Sequence, residues 1–176
     1  MSLSAVYVAD TGHVVGALTV TGASPPNAVA SLVGAELPLR ISLDAGKTAT
    51  IALAARQLAV AAVDDEPGVL DGPLGFGVEL TPDAKPKPAL SSLRSWSGGL
   101  TLTASACTLA LPVETTRLTP VRALISDGEQ THVLAGEIPA GGKQAQLPVV
   151  LTGTGKHGVL ALVSGWAGRL EALAVS

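Results

Sequence analysis

Aromatic residues are nearly missing from this chain. Its 176 residues include two Trp, one Tyr and one Phe, together 2%, and charged residues reach only 14%, against about 25% in typical soluble domains. The first scarcity means that a core must be built from Val, Leu and Ala, which bury less area per residue than aromatic rings. It also removes the platforms on which sugars and unpaired bases stack. The second scarcity, with a net charge of −3, argues against an electrostatic grip on nucleic acid. Lys85 and Lys87 are the sole local basic pair, with no aromatic between them. A lone cysteine, Cys107, excludes an internal disulfide framework, and its setting in "ACTLALPV" is that of a buried small hydrophobe. Long apolar runs are lacking too. Ala49 to Val63 is interrupted by Arg56-Gln57 and falls short of the ~20 residues that span a bilayer. "MSLSAVYVAD" has no basic start and reaches Asp10 before any adequate apolar stretch. The expectation is a cytoplasmic protein with neither a membrane anchor nor a nucleic-acid partner.

What the chain has in abundance is aliphatic surface. Apolar residues make up 47%, and a chain of this length hides roughly 70% of its unfolded surface on folding. So much aliphatic area with so little charge predicts self-association or contact with other protein subunits.

Short strands dominate the pattern. "SAVYVAD", "HVVGALTV", "LPLRISL", "LTLTA", "CTLALPV", "VRALIS", "THVLAGEI", "LPVVLT", "HGVLALVSG" and "RLEALAV" are apolar or alternating, and Gly, Asp or Pro bounds nearly every one. About a dozen strands at this spacing predict an all-β fold, an antiparallel β-sandwich or barrel. "SPPNAVASLVG" offers Ser24 before Pro25-Pro26 as a helix opening and Gly34 as its stop. "ATIALAARQLAVAAV" fits either a helix or two strands meeting near Arg56-Gln57. The Pro- and Gly-rich stretch from Asp64 to Gly99 reads as an irregular connection with one strand around "GFGVEL".

That stretch separates two halves, 1–63 and 100–176, expected to pack as one domain. In the first, Asp10 and "HVV" lead to "LPLRISLDAGKTATIAL"; in the second, Asp127 and "HVL" lead to "LPVVLTGTGKHGVLAL". The shared order predicts two similar β units and places Gly46-Lys47 and Gly155-Lys156 at equivalent hairpin turns.

Gly46-Lys47-Thr48 ends like a nucleotide-binding P-loop, yet Ile41 stands where that loop needs its first glycine, and "ATIAL" follows where a helix should. It reads as a turn. Asp10-Thr11-Gly12 after an apolar strand resembles the catalytic signature of aspartic proteases, which implies a second carboxylate, at Asp127, sharing a proton with the first. "ISDGE" departs from that signature, and Asp-Gly is a common hairpin turn. His13, His132 and His157 show no close metal-ligand spacing. Asp64-Asp65-Glu66 with Asp71 offers calcium-type oxygens but reads as a solvated turn. Trp96 in "RSWSGG" and Trp166 in "SGWAG" are large rings set in loop-like surroundings, and are the candidate partner-contact residues.

No catalytic, cofactor or metal residue is assigned. The sequence reading is a non-catalytic structural or interaction protein, a subunit of a shell, fibre, tail-like particle or scaffold. A ligand- or carbohydrate-binding β module is the alternative, and an aspartic-protease-like hydrolase the weaker one.

Overall fold

The computed structural model describes residues 2–81, 83 and 86–176. In chain order its strands and helices are β1 (Ser2–Val8), β2 (Val14–Val20), α1 (Val29–Val33), β3 (Glu36–Ser42), β4 (Thr48–Ala54), β5 (Leu58–Val63), α2 (Gly68–Asp71), β6 (Phe76–Leu80), β7 (Pro86–Ser92), β8 (Leu100–Leu102), β9 (Ala106–Ala110), β10 (Thr119–Ser126), β11 (Thr131–Ile138), β12 (Gln144–Pro148), β13 (Lys156–Val163) and β14 (Arg169–Ala174). The protein is mostly β, its sheet pairings are antiparallel, and none of its sheets closes into a barrel.

Two compact units are interleaved along the chain. Unit 1 comprises Met1–Leu37, Leu53–Ser95 and Gly165–Ala167; unit 2 comprises Pro38–Ala52, Trp96–Ser164 and Gly168–Ser176.

Unit 1 is organised on the sheet β2-β1-β5. Strand alternation sends Leu3, Ala5 and Tyr7 of β1 to one face. There they form a core with Val14, Val69 of α2 and Val78 of β6, flanked by Phe76 and Leu90. Ser4 on the opposite face is also buried, and its hydroxyl has no hydrogen-bond partner. The Asp64–Gly99 stretch is more ordered than its composition suggests: the expected strand at "GFGVEL" pairs with a second, β7, that contains prolines. A two-stranded ribbon has outer edges where a missing N–H breaks no ladder bond, so proline is tolerated. Lys85 lies outside the described residues.

Unit 2 is layered. Its central sheet has the order β11-β10-β13-β14. The ideal Cβ position at Gly158 of β13 falls 2.7 Å from Ile41 Cγ2 and 3.1 Å from Ala49 Cβ, so the β3–β4 hairpin covers that face. At Gly136 of β11, a Cβ would collide with Leu147 of β12, and strand register puts Gly136 on the opposite face from Gly158. The sheet β12-β9-β8 therefore covers the other side, contributing buried Cys107, Leu109 and Leu147. Double coverage explains why "ALIS" and "HGVLALV" read as continuous apolar runs rather than alternating ones.

One open reading resolves and two expectations change. "ATIALAARQLAVAAV" is two strands, β4 and β5, joined by a 3-10 turn at Ala55–Gln57. The helix expected from Ser24 starts at Val29, without a side-chain cap, and ends at Gly34 as its φ of 70° permits. The strand expected at "LPVVLT" lies earlier, at Gln144–Pro148. Val149 and Leu151 instead donate their N–H groups to Ser105 and Ala104 carbonyls, outside any ladder.

Two measurements follow. Gly158→Ala should destabilise the protein by about 1–3 kcal/mol through overpacking. Gly16→Ala, with no atom within 4 Å of the added methyl, should leave stability nearly unchanged in the same urea titration. Ser4→Ala removes a buried hydroxyl that bonds nothing and should raise stability by about 1 kcal/mol.

Candidate functional site

The polar side chains of this sparse set fall into three groups. The first surrounds Asp10-Thr11-Gly12, the turn between β1 and β2. Asp10 is exposed, whereas Thr11, Gly12 and His13 are buried. The Gly12 carbonyl accepts the Val78 N–H at 2.8 Å. Gly12 has φ of 77°, and a Cβ there would lie 2.5 Å from the Val78 carbonyl oxygen, so only glycine fits. His13 Nε2 lies 2.7 Å from the Trp166 carbonyl oxygen and Nδ1 lies 2.9 Å from Thr11 Oγ1. A carbonyl only accepts, so Nε2 carries the proton and Nδ1 takes the threonine hydroxyl. The protease-like triplet thus supports a turn and a buried histidine.

The second group holds the tryptophans, each buried under an arginine. Trp96 is 8% exposed and Trp166 is 9% exposed. Arg169 Cζ sits 4.3 Å from the Trp96 ring centroid, and Arg94 Cζ sits 5.1 Å from that of Trp166. Arg169 donates through Nε and Nη2 to Glu171 Oε1 at 2.9 and 2.6 Å, and through Nη1 to the Gly98 carbonyl at 2.7 Å. Its guanidinium is therefore held over the ring, within cation–π range. "RSW" and "WAGR" are reciprocal, each segment supplying the arginine for the other's tryptophan. The sequence carries no signal of that pairing, because the arginine near each tryptophan in sequence lies over the other ring.

The third group is a cleft of about 380 Å³ in unit 2. Its walls are the tip of the β3–β4 hairpin, including Asp44 and Lys47, and the segment Thr152–His157, a loop up to Gly155 and then the start of β13, with Asp127 beside them. The two Gly-Lys segments that the sequence presents as equivalent meet here, in different roles. Gly46-Lys47 closes a hairpin, with the Leu43 N–H bonded to the Lys47 carbonyl at 2.7 Å. Gly155-Lys156 is no hairpin turn: β12 pairs with β9, and β13 with β10 and β14. Ala45 at the hairpin tip has φ of 56°, the single non-glycine positive φ among the described residues, which costs roughly 1–2 kcal/mol. Lys156 Nζ bonds Asp44 Oδ1 at 2.8 Å.

Asp127 begins the β10–β11 turn, its Oδ1 accepting the Glu129 and Gln130 N–H groups at 2.9 and 3.0 Å. Those backbone hydrogen bonds lower its pKa, with smaller help from His132 and His157. Oδ2 is 3.9 Å from His132 Nε2. Asp10 belongs to unit 1 and is not part of this cleft. Burial pushes the Cys107 thiol up to about 11, which leaves it protonated and unreactive at neutral pH. Among the described residues, no three His, Cys, Asp or Glu side chains converge as a metal site, and no helix is long and apolar enough to cross a membrane.

No protein-family model, curated protein or solved structure matches the chain.

The Asp127 turn has a measurable pH signature. Its carboxyl is lowered in the folded state, so the stability it contributes is complete above the ordinary aspartate range near pH 4 and lost as pH falls through the folded value. Asp127→Ala should destabilise the protein at pH 7, and the difference from wild type should shrink towards zero on acidification. A difference independent of pH would contradict this account.

Proposed function

We propose that this chain is a non-catalytic structural subunit of a larger protein assembly, formed in the cytoplasm and built as a β-sandwich from two similar β units. The observation that carries the reading is the open edges of the central sheet of unit 2. Among the described residues β11 pairs only with β10, and β14 only with β13, apart from a bridge from Val175, just past β14, to Leu102 of β8. Unpaired N–H and C=O groups along such strands accept a further strand from another chain. Val133 on β11 adds an exposed apolar side chain. The loops carrying Trp96 and Trp166 are the partner-contacting loops in this reading, their rings braced by Arg169 and Arg94. The likeness of the units draws support from connectivity: β1 lies between β2 and β5, as β10 lies between β11 and β13, each beginning with a hairpin.

The remaining polar groups favour architecture over turnover. Thr11, His13, Asp127 and Arg169 each hold a turn or a loop. The carbohydrate-binding alternative lacks a platform, because both tryptophan rings are buried under arginines.

Light scattering after size exclusion tests the proposal. A discrete multiple of 17.5 kDa, or a polymer that grows over a tenfold concentration range, is expected. A monomer at every concentration overturns self-assembly. Lysine substitution of Val133, outward on the edge strand, should lower the assembled fraction without unfolding the chain.

A further inference from the structure

We propose that the cleft between the β3–β4 hairpin tip and the loop 152–157 binds a phosphate group, either inorganic phosphate or the phosphate of a small monoester. The argument rests on uncommitted donors. Gly153 and Gly155 have φ of 112° and 119°, so the loop departs from extended geometry. Thr152, Gly153, Thr154, Gly155 and Lys47 are exposed, and among the described residues none of the four loop N–H groups, the two threonine hydroxyls or the Lys47 ammonium has a hydrogen-bond partner. A buried histidine completes the set. His157 is 4% exposed and lines the cleft. Its Nδ1 makes one long contact of 3.3 Å to the Gly155 carbonyl, and Nε2 has no hydrogen-bond partner among the described residues. The other buried histidine, His13, is tied to neighbours at both nitrogens.

Charge selects an anion. The carboxylates in the cleft already have partners: Lys156 holds Asp44, and the turn N–H groups hold Oδ1 of Asp127. Lys47 is left as the unpaired cation. A phosphate takes charge-assisted bonds from Lys47 and the loop N–H groups. If Nδ1–H faces the Gly155 carbonyl, Nε2 presents a lone pair that accepts the P–OH of a monoprotonated phosphate. That hydroxyl distinguishes hydrogen phosphate from sulfate, which has no proton to give. The Asp127 carboxylate disfavours a second negative charge beside it, which also favours the monoprotonated ion. This is not a P-loop, since both segments lead into strands and no helix dipole contributes.

Titration of the ¹⁵N-labelled protein at constant ionic strength tests the proposal, with inorganic phosphate, glycerol phosphate and sulfate as probes. Saturable shifts centred on Gly153 and Gly155 are expected with phosphate, at a millimolar or lower Kd. Sulfate should bind more weakly. Lys47→Met should weaken phosphate binding about tenfold while the spectrum away from the cleft stays unchanged, showing that the chain is folded. His157→Phe should abolish the preference for phosphate over sulfate. Tighter binding of glycerol phosphate would identify a monoester as the physiological ligand, and equal binding the free ion. Shifts that never saturate, or that chloride reproduces, would overturn the site. The subunit mass does not enter this measurement, so it can fail while the assembly reading stands.

Discussion

The central sheet of unit 2 must be covered on both faces, and the covering elements have little but aliphatic side chains with which to do it. Small side chains fill space only when layers lie close together. Glycine at position 158 lets Ile41 and Ala49 approach one face, and glycine at 136 lets Leu147 reach the other. Interiors pack at nearly crystalline density, so a single methyl at Gly158 displaces a whole hairpin. The same demand explains why Pro38–Ala52, early in the chain, belongs with Trp96–Ser164. A strand buried on both sides needs a lid, and the chain supplies one from far away in sequence.

Scarce charge shapes the loops as much as scarce aromatics shape the core. With few polar side chains, each one that is kept has a structural consequence. Arg169 lies over Trp96 and bonds both Glu171 and the Gly98 carbonyl, fixing a glycine-rich loop. His13 links the Asp-Thr-Gly turn to the backbone at Trp166. An exposed ion pair such as Asp44–Lys156 contributes at most about 1 kcal/mol; its effect is to hold Lys156 close to the hairpin tip.

Strands with strong apolar character were legible because local pattern decides them. β1, β2, β10, β11, β13 and β14 all fall where Val, Leu and Ile concentrate between turn residues. β12 was missed because "QAQLP" shows only Ala145 and Leu147 to the core. The apolar "VVL" after it satisfies its backbone by bonding to the β8–β9 turn. β7 was hidden by its prolines, which an outer edge tolerates. Of the polar groups, the turn role of Asp127 was legible, since Asp-Gly is a local signal. The fates of Trp96 and Trp166 were not, because each depends on an arginine some 70 residues away in sequence, at 169 and 94.

The two Gly-Lys segments show where a sequence likeness and a topology part company. The match places β4 and β13 in correspondence, yet the strand beside β1 is β5, while the strand beside β10 is β13. The likeness of the hairpins β1–β2 and β10–β11 therefore does not extend through the Gly-Lys segments. What those segments do share is a consequence of glycine: both leave backbone groups outside the ladders, near a lysine. At Gly46-Lys47 the hairpin closes on itself, the Leu43 N–H bonding the Lys47 carbonyl and the Lys47 N–H the Asp44 carbonyl. At Gly153–Gly155 the loop has no such partner. Exposed, unused donors beside a buried histidine with one long hydrogen bond mark a place where an external anion exchanges hydrogen bonds to water for charge-assisted ones to the chain.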